Sequence, residues 1–144
     1  HRDLMLGEMA QSLSLELGRR RAQISARLAA MLDEGAALAP ARIAAARALA
    51  ADWRGRLDRI FGPADLLLAP AAVGEAPAIE TTGDPVFNRV WTMLGTPCLT
   101  LPIATGDNRL PLGAQLIART GDETRLLAGA RWVESVITRA ANDL

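Results

Sequence analysis

GTPCLTLPIATGDNRLPLGAQLIAR, residues 95–119, is the part of the sequence that is most informative about the fold. It holds two apolar runs, 98–104 and 112–118, separated by the residues TGDNR. Short apolar runs bounded by Pro and Gly are typical of buried strands. Gly, Asp and Asn adopt the backbone conformations that a tight turn needs. We therefore predict a β-hairpin made of two buried strands.

Composition and charge narrow the class of protein. The chain has 144 residues, half of them hydrophobic, and a formal net charge of zero. That length fits one domain, and the missing basic excess argues against nucleic acid as a partner. No apolar run approaches the ~18 residues of a membrane span, and HRDLML does not begin like a secretory leader. We expect a cytoplasmic protein with no membrane partner and, since it starts with His, a longer natural chain.

The inventory of reactive side chains is short. The one His is residue 1, there is one Cys, and all 16 basic residues are Arg. This chain therefore cannot supply a Lys as general base or for a Schiff base, and a Ser–His–Asp triad would have to use the terminal His. Zinc sites need clustered ligands, and neither phosphate-binding glycine motif occurs. We expect no metal and no cofactor, and the single Cys fits a reducing compartment.

Residues 1–62 are predicted to be a helical segment with two long helices. The first covers 3–34 with a break near Gly18; the second covers 40–61 and ends at Gly62. Apolar residues recur along the second helix at alternating spacings of three and four: Ile43, Ala46, Ala50, Trp53, Leu57 and Ile60. This seam favours packing inside the protein, and a coiled-coil dimer, hence a homo-oligomer, stays open.

Residues 63–144 are predicted to be an α/β segment. Its elements in chain order are a strand at 65–70, a loop at 71–83, a short helix at 84–95, the hairpin, and a last helix at 121–140. Asp84 is expected to cap the short helix and Gly95 to end it.

Three predicted strands offer too small a sheet to cover the apolar faces of all the predicted helices. Strands that are apolar on both faces need helices on both sides and neighbours at both edges. We therefore predict an α/β fold, a mixed β-sheet flanked by helices. The chain would contain about three strands of a larger sheet, and the two segments would together form one partial domain.

The region FNRVWTMLGTPCLTLPIATGDNRLPLGAQLIARTGDETRLLAGARWVE, residues 87–134, resembles the C-terminal region of amidase signature family enzymes (amidohydrolases). The shared pattern is a helix ending in Gly-x-Pro, an apolar strand ending in Pro, Leu-Pro-x-Gly-x-Gln, and Gly-Asp before a Leu-Leu helix. It falls on Gly95, Pro97, Pro102, Leu110, Pro111, Gly113, Gln115, Gly121, Asp122, Leu126 and Leu127. DLLLAP and HRDLMLGEMAQSL, with Glu8, are also similar to family segments.

The resemblance implies an amidase-signature-type sheet and hydrolysis of amide bonds by a Ser nucleophile, a bridging Ser and a Lys base. Those residues belong to family segments that precede the matched region. This chain has no Lys, and its serines lie in predicted helices without neighbouring Gly: Ser12, Ser14, Ser25 and Ser135. We expect the C-terminal part of an amidase, inactive alone, with an N-terminal catalytic portion and a small-molecule amide substrate as partners. The alternatives are a non-catalytic scaffold or interaction module and a truncated, inactive remnant.

The family's helix before Gly-x-Pro, with the loop preceding it, approaches the substrate. The resemblance thus implies substrate contacts for Asp84, Asn88, Trp91 and Thr92. Each residue also has a purely structural interpretation. Asp84 suits a helix cap, Trp91 suits the core, and Asn88 and Thr92 could simply face water.

Three residues of the hairpin have expected structural roles. Cys98 is interpreted as a buried thiol, because no internal His could activate it as a nucleophile. Gln115 lies in an apolar strand, where its amide must find hydrogen-bond partners. We expect it to tie the strand to a loop, with a ligand contact as the alternative. Gly113 should allow a close backbone approach.

Overall fold

The computed structural model describes residues 1–142, and their side chains through residue 140. The chain divides into two compact units, His1–Arg54 and a second unit that starts at Gly55. The helices are α1 (Arg2–Ser12), α2 (Ser14–Arg20), α3 (Ala26–Ala36), α4 (Pro40–Arg54), α5 (Leu57–Phe61), α6 (Arg89–Leu94) and α7 (Glu123–Asn142). The strands are β1 (Leu67–Pro70), β2 (Cys98–Thr105) and β3 (Pro111–Ile117). None of the described helices is both long and apolar enough to cross a membrane.

In the first unit, α1 packs closely against α3 and α4. Leu6 and Leu32 are fully buried. A Cβ added at Gly35 on α3 would lie 2.1 Å from the carbonyl oxygen of Leu6. One added at Gly7 would lie 2.7 Å from Cδ1 of Ile43 on α4. Because the contact at Gly35 is with backbone, this glycine sets how near α1 and α3 approach, whereas the contact at Gly7 is with the Ile43 side chain, which can move.

Ion pairs join the helices of the first unit along their exposed sides. The pairs and their N···O distances are Arg2–Glu34 (2.6 Å), Asp3–Arg42 (2.6 Å), Glu8–Arg47 (3.2 Å) and Arg21–Asp33 (2.5 Å). Hydrogen bonds from the arginines lower the pKa values of the Asp3 and Asp33 carboxyls. Exposed pairs contribute little stability each, so this unit depends mainly on its packed small and apolar residues.

The two long helices predicted for this part are each interrupted. The first stops at Leu13 and again after Arg20, and Gly18 lies inside α2 rather than at a break. Ser25 then starts α3, because its hydroxyl accepts a hydrogen bond from the Leu28 amide at 3.2 Å. The second ends at Arg54.

The predicted seam of the second helix is therefore divided. Ala50 is buried in the first unit, whereas Leu57 lies on α5 and is buried in the core of the second. The break falls at Gly55, and glycine is a weak helix former. Trp53 is 42% exposed. The prediction of a single continuous apolar face over residues 43–60 is thus wrong.

The sheet of the second unit has the strand order β1–β3–β2, and both pairs are antiparallel. β2 and β3 form the predicted hairpin, with a bulge between Pro102 and Ala104. Gln115 lies on the central strand, opposite Ala69 on one side and Thr100 on the other. Position 115 is therefore held by neighbours on both sides.

Helices cover both faces of the sheet. Ile117 packs with Leu57, Phe61 and Leu94 on the face of α5 and α6. Leu116 points the other way and packs with Leu126 and Ala130 of α7, among others. These layers confirm the predicted α/β fold class.

Burial on both faces is confirmed only for part of the sheet. The central strand β3 is buried from Ala114 to Ile117. The edge strands alternate between half-buried and exposed residues, and Leu68 of β1 is 67% exposed. Within this chain β1 and β2 are therefore not buried on both faces, and their burial by further strands and helices of a larger sheet stays a prediction.

Candidate substrate-facing segment

The four residues predicted to contact a substrate lie between β1 and β2, in residues 84–92, called the wall segment below. It follows the loop 71–83 and includes most of α6. The helix ends as predicted at Gly95, whose φ of 69° is in the left-handed region. The amide of Gly95 donates to the Thr92 carbonyl at 3.3 Å, and that of Thr96 donates to the Trp91 carbonyl at 3.2 Å.

The predicted capping role of Asp84 is wrong. The Pro85 carbonyl accepts hydrogen bonds from the amides of Asn88 (2.9 Å) and Arg89 (3.0 Å), which makes a turn before the helix. α6 therefore begins only at Arg89, with Asn88 in the N-cap position. Asp84 instead accepts a hydrogen bond from Nη2 of Arg89 at 3.0 Å, and both side chains are exposed.

Asn88 and Thr92 lie one turn apart with exposed side chains. Nδ2 of Asn88 donates to the Ala71 carbonyl at 3.0 Å, which links the start of α6 to the start of the loop. Trp91 is half-buried against the cluster that contains Ile117 and Leu94, in agreement with its core interpretation. Substrate contact by any of the four residues stays a prediction.

Gln115 holds both ends of the 71–83 loop region. It is 2% exposed, and its Nε2 donates to the carbonyls of Pro70 (3.1 Å) and Phe87 (2.7 Å). Pro70 ends β1, and Phe87 immediately precedes Asn88. The prediction that this amide ties the strand to a loop is confirmed.

Gly113 has the expected close neighbours. The Ala71 amide donates to its carbonyl at 2.9 Å. A Cβ at position 113 would lie 2.9 Å from Cγ2 of Thr100 and 3.0 Å from Cβ of Ala71. Glycine therefore lets the chain leave β1 close to the sheet.

Glu75 fastens the loop to the hairpin turn, a role that the sequence did not reveal. Its carboxylate accepts hydrogen bonds from the Asn108 amide (2.9 Å), from Nδ2 of Asn108 (2.5 Å) and from the Leu110 amide (3.1 Å). A Cβ at Gly106 would lie 2.4 Å from Oε1 of Glu75. The partners are more than 30 residues apart in sequence, so no local pattern could have paired them.

Arg119 is a second residue that sequence reasoning missed. Its guanidinium donates to Asp58 (3.1 Å) and to the carbonyls of Ala64 and Gly62 (3.0 Å each). The group also lies 4.7 Å from the centre of the Phe61 ring. Arg119 thus satisfies carbonyls that follow α5 and fixes the connection to β1. The sequence feature that could have pointed to Arg119 is its position, a charged residue directly after the apolar run 112–118.

Cys98 is exposed, which corrects the prediction of a buried thiol. It begins the edge strand β2, and its Sγ donates weakly to the Thr96 carbonyl at 3.6 Å. Partial desolvation raises the pKa of the thiol, while the hydrogen bond with Thr96 opposes that rise. A raised pKa leaves less thiolate, which disfavours a nucleophilic role.

The wall segment carries the carboxylate of Asp84, the amide of Asn88, the indole of Trp91 and the hydroxyl of Thr92 within nine residues of the chain. Such groups bind a polar small molecule by hydrogen bonds and contact. Within residues 1–142, no group of three His, Cys, Asp or Glu side chains could hold a metal ion. An open groove of about 440 Å³ on the sheet is lined by apolar side chains, among them Leu68, Ile103 and Leu112, and its polar lining is backbone. It offers no side-chain hydrogen-bonding group to a polar substrate.

Among curated proteins, the chain is similar to amidotransferase subunits from several organisms. The chain is 33% identical over 91 residues to a glutamyl-tRNA(Gln) amidotransferase subunit from Wolinella succinogenes, and this covers 58% of the chain and 20% of that protein. It is 35% identical over 82 residues to the corresponding protein of Neisseria meningitidis serogroup C, covering 52% of the chain and 17% of the relative. The chain thus spans about a fifth of the length of these relatives.

Solved structures show the same fold. A crystal structure of an amidase superposes with a TM-score of 0.79 at 24% identity, covering 88% of this chain and 32% of the other. A 6-aminohexanoate cyclic dimer hydrolase superposes with a TM-score of 0.68 at 19% identity, covering 94% and 33%. The model of the family described as Amidase matches residues 3–127, most of the sequence. On this evidence the chain belongs to the Amidase family.

Proposed function

We propose that this chain is part of an amidase that hydrolyses carbon–nitrogen bonds of small amides. The observation that carries the proposal is the family match over residues 3–127. Since the chain spans about a fifth of its curated relatives, the catalytic residues would belong to the remaining, N-terminal portion. This chain would supply scaffold and one wall of the substrate pocket.

The wall segment is the part that we assign to substrate contact. It is attached to the sheet through Gln115 and to the loop through Asn88. Its polar groups at Asn88 and Thr92 are exposed, whereas Trp91 rests on the core. This combination supports a rigid surface whose open side can donate and accept hydrogen bonds, as both ends of an amide group require.

The activity is tested on the natural, full-length protein. Release of ammonia or amine is measured with aliphatic, aryl and acyl amides, and hydrolysis of at least one class is expected. A protein that hydrolyses none of these amides would refute the assignment to amide chemistry.

The wall assignment is tested with Thr92→Val, which removes a hydroxyl at nearly constant volume. One lost hydrogen bond corresponds to an increase in KM of about threefold to tenfold. Val136→Ala is the control, because Val136 is an exposed apolar residue on α7, outside the wall segment. Equal KM values for Thr92→Val, the control and the wild type would contradict a substrate contact at Thr92.

A further inference from the structure

We infer that Gln115 is a positioning residue that sets the direction of the wall segment. The inference rests on the proposed function, because it gives this buried amide a task in substrate binding. Gln115 lies behind the wall segment and does not belong to it. It would act through the Phe87 carbonyl and not by touching the substrate.

The geometry places a single donor group between two chain segments. Nε2 of Gln115 carries two hydrogens, and it donates to Pro70 at 3.1 Å and to Phe87 at 2.7 Å. Because the amide group is planar, the two accepting carbonyls must lie near one plane. The end of β1 and the start of the wall segment are thereby fixed to each other.

A second link runs parallel to the first. Nδ2 of Asn88 donates to the Ala71 carbonyl at 3.0 Å. Two side chains therefore join residues 70–71 to residues 87–88. Gln115 bridges the carbonyls of Pro70 and Phe87, and Asn88 bonds directly to the Ala71 carbonyl. With two links, the wall segment cannot rotate about one hydrogen bond without breaking the other. The exposed side of Asn88 is therefore held in a fixed orientation relative to the sheet.

The anchor point itself is buried in the centre of the sheet. Gln115 is the one buried polar residue among those whose side chains the structure describes, and it lies on the central strand. Thr100 and Ala69 hold it from both sides. Hydrogen bonds in such a water-poor site are strong, and losing the donor leaves two carbonyls unpaired.

A merely structural role makes different predictions. If Gln115 only stabilised the core, its replacement would loosen the whole sheet, as replacement of any buried neighbour does. If it positions the wall segment, the loss is confined to the loop and this segment. Leu116 provides the comparison, because it is the next residue of β3, is 4% exposed and faces α7 instead.

The experiment uses Gln115→Met, which keeps the shape and removes both donors, and Leu116→Val as control in the natural, full-length protein. Amide hydrogen exchange is followed by mass spectrometry. For Gln115→Met, exchange in residues 71–92 should become about tenfold faster, with β2 and β3 unchanged. Leu116→Val should not produce this local pattern. Uniform acceleration, or none, would overturn the inference whether or not the protein is active.

Kinetics separate the inference from the proposed function. With an amide that the wild type hydrolyses, Gln115→Met should raise KM by about tenfold and change kcat less, as expected when a binding contact is weakened and the catalytic groups are left in place. Local loosening with a KM equal to that of Leu116→Val would overturn the positioning role. If no amide is hydrolysed, the proposed function fails, and the inference falls with it even where exchange shows that the links exist.

A second variant is used in case the Gln115→Met protein does not fold. Gln115→Leu has a similar volume and removes both donors. The same local increase in exchange supports the inference. Failure of both variants to fold would show that Gln115 serves the fold as a whole and would overturn it.

Discussion

Replacement of Gly35 by alanine sets two effects of opposite sign against each other. Gly35 lies in the last turn of α3, where alanine is favoured by about 1 kcal/mol in helix propensity. The added Cβ would, however, lie 2.1 Å from the carbonyl oxygen of Leu6 and 3.0 Å from Cβ of Ala10. The oxygen belongs to the backbone of α1 and cannot turn aside.

The magnitude follows from the contact distance. Carbon and oxygen atoms approach to about 3.3 Å in favourable contacts, so α1 and α3 must separate by roughly 1 Å. This separation would loosen the packing around Leu6 and Leu32, both fully buried. Forced overpacking of this kind costs about 1–3 kcal/mol or more. Because the clash is with a backbone atom at 2.1 Å, we place the cost at the upper end, about 3 kcal/mol, and after subtraction of the gain of about 1 kcal/mol we expect a net destabilisation of about 2 kcal/mol.

The assay is chemical denaturation followed by circular dichroism at the helical minimum. Gly18→Ala is the matched control, because Gly18 also lies in a helix and no atom is within 4 Å of an added Cβ. The control should gain about 0.5–1 kcal/mol of stability. A Gly35→Ala protein as stable as wild type would refute the close approach of α1 and α3.

Three further predictions concern single side chains. Glu75→Ala should speed amide exchange in the β2–β3 turn, whose donors lose their acceptor; Glu80→Ala, an exposed carboxylate of the same loop, should not. The raised pKa of Cys98 should move the half-maximal pH of iodoacetamide alkylation above that of the denatured chain; an equal or lower value would contradict it. The pKa of Asp33 is lowered, so its stabilisation is present above the unfolded value near 3.8 and is lost as pH falls through the folded value. Asp33→Asn should therefore lower the denaturation midpoint slightly at neutral pH and not in strong acid, and a larger loss in acid than at neutral pH would contradict the lowered pKa.

Elements that depend on neighbouring residues could be predicted from the sequence. The hairpin of β2 and β3 follows from two apolar runs around TGDNR, and the end of α6 follows from Gly95. Residues close in the chain carry these signals, and turn chemistry and side-chain periodicity depend on little else. The role of Gln115 was predictable for a related reason, since a buried amide must be hydrogen-bonded wherever its partners lie.

Helix breaks and capping were predicted less well. Periodicity runs through 40–61 without interruption, yet α4 stops at Arg54 because Leu57 belongs to a different core. Asp84 has the right residue type for a cap, but the Pro85 turn displaces the helix start to Arg89. In both cases tertiary packing selected one of several locally acceptable conformations.

The α/β class, the hairpin and the need of Gln115 for partners follow from the residues alone, because they depend on local periodicity and on the cost of an unpaired buried amide. That those partners are the carbonyls of Pro70 and Phe87, and that Glu75 reaches Asn108, is visible only in the folded chain. Such contacts join residues 28–45 positions apart in the chain. Their pairing depends on how strands and loops come together in space, and no spacing along the chain encodes it.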